Sequence, residues 1–409
     1  MKYLRMARKF AFEDGHLPLL FLLVFFWSMF DSILTYVTPL VMASHGFSNT
    51  MIGLLIGSSS VAGAIFDLCL CTFFKKSSFK RFFLLMLLFS LAYPVVLGTA
   101  TEVVGFLLAM AVWAFYFDMY GFGVFNFVAQ YVKKDEHSGA FGLIYSSRLL
   151  GMILSLLVAG ILLTGPFLNV YLFAESMIVL AFACFLLLYL KARKSHPHFS
   201  PHDHRVRGFL FEMALWKKLC GGLWPQLMVT LYYFVLESFF WTLTPLYGNS
   251  VGTKGLGSTL LVAFTFPMFV AGVLVFRQKK NAFKFKNPFP FMMAGSAFLS
   301  AFVFFSSDFT ILLFIAALAS FFFGLALYAV NGTYTGQIAD HPDYEMEIES
   351  MEDFSFNLAY VVGPMSAGIL SDVLGIPAAF TALGAIGLCL GTVLLVFAPK
   401  NALMNAQKS

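Results

Sequence analysis

Charge is what this 409-residue chain has least of: Asp, Glu, Lys and Arg together make up 11% of it, where a soluble domain carries about 25%. With 60% apolar residues beside that shortage, the chain cannot cover itself with a solvated surface and needs lipid. Cysteine is also scarce. The five present (Cys69, Cys71, Cys184, Cys220 and Cys389) lie in or next to apolar runs with no paired spacing, so no disulfide framework is implied. No G-x-x-x-x-G-K-[ST] run occurs, which excludes a P-loop ATPase and leaves any energy input to a gradient. Ten-residue alternating strands are missing as well, which argues against a membrane barrel. No nucleic-acid motif appears, so the net charge of +5 is not read as a nucleic-acid footprint. Nothing calls for a cofactor or a bound metal.

What is present is apolar and long. Phe alone supplies 52 residues, and twelve nearly charge-free stretches approach the roughly 20 residues that cross a bilayer core as helix. They are 17–43, 51–74, 82–98, 103–132, 138–163, 168–190, 223–247, 256–276, 289–305, 309–338, 354–374 and 377–398. In lipid every backbone group must be satisfied within the segment. The expected fold is therefore an all-α integral membrane protein with twelve transmembrane helices. The first run is too long for a signal-peptide core and lacks a small-residue cleavage site, so it is expected to remain as a helix.

Lys and Arg set the orientation, because cytoplasmic loops collect positive charge. One side holds Lys2, Arg5, Arg8, Lys9, then Lys75, Lys76, Lys80, Arg81, then Lys133 and Lys134, with further clusters at 191–218, 277–286 and 400–408. The opposite loops hold only Lys254. Both termini are thus expected on the cytoplasmic side of a plasma or inner membrane. An acidic stretch from Asp340 to Asp353 falls on the same side; it reads as a solvated loop or as an inner gate that pairs with the basic loops.

Residues 192–219 interrupt the apolar pattern with charge, Pro and His. They divide the chain into an N-terminal half (1–191), a cytoplasmic linker (192–219) and a C-terminal half (220–409). Within the linker, His196, His198, His202, Asp203 and His204 could suggest metal contact or, through the His198 to Asp203 spacing, membrane acyl transfer. Two prolines inside the tract oppose a rigid preformed site, so the linker reading stands above both and the chain is not read as an enzyme.

The two halves repeat each other. Asp31-Ser32 and Thr38-Pro39-Leu40 recur as Glu237-Ser238 and Thr244-Pro245-Leu246. Val61-Ala62-Gly63 recurs as Val270-Ala271-Gly272, Gln130 as Gln337, and Ala159-Gly160-Ile161-Leu162 as Ala367-Gly368-Ile369-Leu370. Membrane halves related in this way are the mark of a carrier with its site at the repeat interface.

Ionisable residues inside spans sharpen that expectation, since a charge at bilayer centre costs about 2.5–3.5 kcal/mol on insertion scales. In the first span Ser28, Asp31, Thr35 and Thr38 share one helical face; in the seventh Thr230, Glu237 and Thr244 do so, with Trp241 beside them. The fourth offers Asp118, Asn126 and Gln130, the tenth Tyr328, Asn331 and Thr335. Arg148 in the fifth span needs a counter-charge, for which Asp118 is the expected partner, in a structural or a coupling role. Burial disfavours the charged form of an acid, so Asp31 and Glu237 can exchange protons as a cavity opens to each side in turn; the same two acids could instead attract a cationic substrate, and the sequence leaves both open.

Twelve spans in a six-plus-six repeat around a polar central loop resemble the major facilitator superfamily across essentially the whole chain. Gly63-Ala-Ile-Phe-Asp67 with Lys75 and Lys76 is similar to the superfamily's loop motif between helices two and three, although Leu68 and Leu70 stand where its Arg and later Gly belong. The resemblance implies gating roles for Asp67, Lys75 and Lys76. Gly363-Pro364 through Asp372 resembles the glycine-proline pattern near the end of such chains. The drug-proton antiporter subclass is not supported, because the fourth span has no Arg and the fifth no Gly-Pro. The family implies a monomeric rocker-switch carrier whose helices one, four, seven and ten line the cavity. On this reading the chain is a secondary active, proton-coupled symporter of a small organic solute. Efflux of cationic or amphipathic compounds is the alternative, and a non-transporting receptor or scaffold is a third reading.

Overall fold

The computed structural model describes residues 16–73, 78–132, 137–192, 209–277, 287–340 and 345–398. Among these residues the regular structure is helical throughout: α1 (Leu17–Ser44), α2 (Asn49–Phe73), α3 (Phe79–Thr99), α4 (Val103–Tyr131), α5 (His137–Leu162), α6 (Phe167–Ala192), α7 (Phe209–Ser250), α8 (Lys254–Arg277), α9 (Phe289–Ser300), α10 (Phe309–Asp340), α11 (Glu345–Leu374) and α12 (Ile376–Phe397). Eleven of them are long and apolar enough to cross a membrane. Proline opens α1, α9 and α12 at the first or second position, where its missing N–H costs nothing. A single residue, Gly375 at φ 84°, reverses the chain between α11 and α12, a backbone conformation that only glycine adopts without penalty. Leu, Ile, Val and Phe side chains such as Ile161, Val373 and Phe397 stand exposed on outer helix faces. That is an apolar surface suited to lipid rather than water.

Three boundaries differ from the sequence reading, each for a local reason. Helix α7 begins at Phe209, so the last eleven residues assigned to the linker are helical; the charges there fit a helix end as well as a loop. The acidic stretch is mostly helix too, since α11 starts at Glu345, and acids at a helix amino end are favoured by the macrodipole. The ninth span is broken: α9 stops at Ser300 and a 3₁₀ turn, Phe302–Phe305, follows. There the Val303 N–H bonds the Thr381 hydroxyl of α12 at 2.9 Å, an outside partner that replaces the next rung of the helix. The His tract of the linker, Lys75 and Lys76 lie outside the described residues.

The chain divides into two compact units. Unit 1 comprises 1–46, 58–204 and 252–258; unit 2 comprises 47–57, 205–251 and 259–409. In unit 1, α1 packs along α5 and α6, and α3 along α4. The crossing of α1 and α5 is close because Gly151 carries no side chain: a Cβ there would meet the Phe25 carbonyl oxygen at 2.5 Å and the Met29 nitrogen at 3.4 Å. In unit 2 the pairing is repeated by α7 on α11 and α9 on α10, with α12 also laid against α9. Gly363 seats α11 on Ser238, and Gly387 seats α12 on Tyr232 and Ser296. The amino end of α2 belongs to this unit, where the Asp372 carboxylate at the end of α11 accepts the Asn49 and Thr50 backbone N–H groups at 3.2 and 2.8 Å. Those are orphan donors of a helix start, so Asp372 acts as a cap supplied from another helix.

Candidate functional site

Unit 1 is built around a buried acid. Asp31 lies near the middle of α1 with 5% of its surface exposed. Its Oδ1 accepts the Tyr116 hydroxyl of α4 at 2.9 Å. One turn before Tyr116, the buried Trp113 indole N–H lies near the same carboxylate but outside hydrogen-bond geometry. The positive charge of Arg148 on α5 acts on Asp31 as well, so the acid has one direct donor and lies in the field of one cation, the surroundings a buried charge needs.

An aromatic wall holds the cation in turn. The Arg148 guanidinium lies 4.9 Å from the Phe117 ring and 5.5 Å from Tyr120, both from α4, in cation–π contact. Trp27, one turn before Asp31, stacks on Tyr120 at 4.1 Å, and Trp113 stacks on Phe117 at 5.2 Å. The Trp27 indole donates to Ser90 on α3 at 3.3 Å, satisfying the one polar atom of a fully buried ring. Farther along α1, the Thr38 hydroxyl donates to the Leu34 carbonyl and accepts the Tyr93 hydroxyl, each at 2.7 Å. The Ser28 and Thr35 hydroxyl oxygens flank Asp31 on its face of α1 and are buried without a hydrogen-bond partner.

Unit 2 carries a different polar set. Thr230 of α7 and Tyr334 of α10 share a hydrogen bond at 3.1 Å. The Gln226 Oε1 and Asn331 Oδ1 atoms are buried without a partner. Around them the unit is aromatic: Phe240 stacks on Phe264 at 3.9 Å, and Phe234, Phe356 and Tyr360 form a cluster with neighbouring centroids 4.7 to 4.8 Å apart.

The sequence profile described as Major Facilitator Superfamily matches residues 20–347. The chain belongs to this superfamily. A search of curated proteins gives no significant match. Solved structures of similar fold include a peptide transporter of the POT type (TM-score 0.71, 15% identity, 94% of each chain covered). The nucleoside transporter NupG is another (TM-score 0.70, 13% identity, 94% of this chain and 100% of that one). A third is a bacterial homolog of the human lysosomal transporter Spinster, in an inward-facing conformation (TM-score 0.66, 14% identity, 96% of each). At these identities the likeness is one of fold.

Within this superfamily chain, the residues singled out from sequence divide into groups. Asp31 and Arg148 share a cluster in unit 1. Arg148 was expected to answer Asp118; the structure adds Asp31 to its field, and Asp118 sits against Gly63 of α2, whose absent Cβ would be 3.3 Å from its carboxylate. Thr35 lies one turn from Asp31. Asn126 donates back to the Phe122 carbonyl of its own helix at 3.0 Å, and Gln130 is half-buried a turn later. In unit 2, Glu237 and Trp241 are half-buried one turn apart on α7, Asn331 keeps an open acceptor, and Tyr328 packs its hydroxyl against Gly272 of α8. For Asp67 the helix is described but the side chain is not. The sequence reading passed over Trp113, Phe117, Gln226 and Tyr334. The spacing Trp113, Tyr116, Phe117, Tyr120 puts four rings on one face of α4 and was the available signal.

Proposed function

We propose that this chain is a secondary active transporter of a small organic solute, coupled to protons and working by alternating access of its two six-helix halves. The observation that carries the proposal is the buried Asp31 carboxylate, held at mid-span by the Tyr116 hydroxyl and beside Arg148. An acid there is costly to insert, and its surroundings let it exist with or without its proton. Tyr116 donates to the ionised form, while a protonated Asp31 has the neighbouring hydroxyls of Ser28 and Thr35 as acceptors. Family membership supports transport as the general activity. Neighbours of similar fold that carry peptides and nucleosides, or that bind 5-aminolevulinic acid, support a small-molecule cargo. We place the protein in the plasma or inner membrane as a monomer with both termini cytoplasmic, following its basic loops.

The test is uptake into proteoliposomes under an imposed pH gradient, with the doubly substituted Asp31→Asn, Glu237→Gln protein beside the wild type. Accumulation against a gradient is expected to vanish while exchange of solute at equal concentrations survives. Undiminished accumulation by the double variant would remove the acids from the mechanism.

A further inference from the structure

Unit 2 contains acceptors with nothing to accept. Gln226 is 97% removed from solvent (3% exposed), and its Oε1 has no hydrogen-bond partner. A buried amide oxygen left open is unfavourable, and native structures leave few of them without a reason. One turn along α7, Thr230 is fully buried and meets Tyr334, itself 3% exposed. One turn back along α10 from Tyr334, the Asn331 Oδ1 is the second open amide oxygen.

The two orphans are not scattered. Helix α10 lies three spans after α7 and runs antiparallel to it, so Gln226 and Asn331 flank the Thr230–Tyr334 pair on opposite sides. Their offsets from that pair are about 6 Å and about 4.5 Å along the helix axes. The result is a line of oxygen atoms on the facing surfaces of two helices. The negative charge of Glu352 on α11 also acts on Tyr334. The atoms left open are the two amide oxygens, which can only accept a hydrogen bond, and no cation is among the groups singled out. A ligand that satisfies those two oxygens must bring donors.

From this arrangement we propose that Gln226, Thr230, Tyr334 and Asn331 form an acceptor subsite that binds the N–H donors of the transported solute, an ammonium or amide group. This rests on the transporter reading above and adds the chemistry of the cargo to it. Gln226 and Asn331 supply the two amide oxygens, and the Thr230–Tyr334 pair spaces them. Open acceptors without a ligand are a stability cost retained for binding, a trade common at functional sites.

The experiment uses the full-length protein in detergent and two matched probe pairs. One pair is phenethylamine and its N,N,N-trimethyl derivative, equal in charge but different in donors. The other is phenylacetamide and its N,N-dimethyl derivative, both neutral. Affinity is read by tryptophan fluorescence and by ligand-induced shifts in melting temperature. In each pair the N–H member is expected to bind at least tenfold more tightly, and Gln226→Met is expected to abolish that preference. Because the methionine removes an unsatisfied acceptor at nearly constant volume, the ligand-free Gln226→Met protein is expected to melt at a higher temperature than the wild type. Equal binding within both pairs, no binding by any probe, or a lowered melting temperature of Gln226→Met would each overturn the subsite. If Gln226→Met does not fold, that counts as the lowered outcome, and the wild-type pair comparison decides independently. Failure of proteoliposomes to exchange a bound probe would instead sink the transporter reading and leave the subsite standing.

Discussion

Replacing Gly151 by alanine should be the most costly small change at the crossing of α1 and α5. Its new methyl would lie 2.5 Å from the Phe25 carbonyl oxygen, 3.1 Å from the Ser28 Cβ and 3.4 Å from the Met29 nitrogen. Carbon–oxygen contacts settle at about 3.3 Å or more, so the helices must part by roughly 0.8 Å. Two of the three obstacles are backbone atoms, which cannot rotate away. Overpacking of this kind costs about 1–3 kcal/mol, from which the better helix propensity of alanine subtracts about 0.5–1 kcal/mol. A net loss of about 1 kcal/mol is expected. Gly142, on the same helix, has no atom within 4 Å of its notional Cβ, so Gly142→Ala should gain the propensity term alone. The two substitutions are chemically identical and share the propensity gain, so they should differ by the overpacking cost alone, about 2 kcal/mol. Thermal unfolding of both purified variants in one detergent measures this, with Gly151→Ala melting below the wild type and Gly142→Ala at or above it. Equal melting temperatures would refute the close approach of α1 and α5.

Two further changes probe single bonds. Tyr116→Phe removes the hydroxyl that Asp31 accepts at 2.9 Å while preserving the ring between Trp27 and Trp113; a loss of about 1.5–3 kcal/mol is expected for a bond to a charged group, read as a lower melting temperature that Asp31→Asn, Tyr116→Phe together does not lower additively. Asp372→Ala strips the cap from α2 and should cost about 1 kcal/mol, with faster amide exchange at Asn49 and Thr50; unchanged exchange there would contradict the capping geometry.

Much of the architecture was legible in the sequence because lipid leaves so few options. The spans declared themselves by the absence of charge, and the repeat by acids that lipid tolerates only with a reason. Boundaries were less legible where polarity has two meanings. Residues 209–219 carry charge that suits a helix end as well as a linker, and the first acids of α11 suit a helix amino end as well as a loop. The break after Ser300 depends on the Thr381 hydroxyl, 78 residues away, and no local pattern announces such a partner. In the site, Asp31 stood out because an acid in an apolar helix is conspicuous, whereas Trp113 and Phe117 vanish into a chain with 52 phenylalanines. Gln226 escaped notice for a related reason: a neutral amide becomes informative only when burial and the absence of a donor are known together.

The repeat has preserved packing and let chemistry drift apart. Helix α1 packs on α5 in unit 1 as α7 packs on α11 in unit 2, and Asp31 and Glu237 keep equivalent places. Around them the halves differ: Arg148 and its wall of rings attend the acid in unit 1, while the region of α11 that matches α5 in the repeat carries Phe356 and Tyr360 in an aromatic cluster with Phe234. The two sets of groups also differ in what they can do chemically. A buried carboxyl can gain or lose a proton and an amide oxygen cannot; when Asp31 is neutral, the Arg148 charge keeps the faces of Phe117 and Tyr120 as its partners. On the proposed reading, Asp31→Asn should disturb proton coupling while leaving the N–H preference of probe binding measurable.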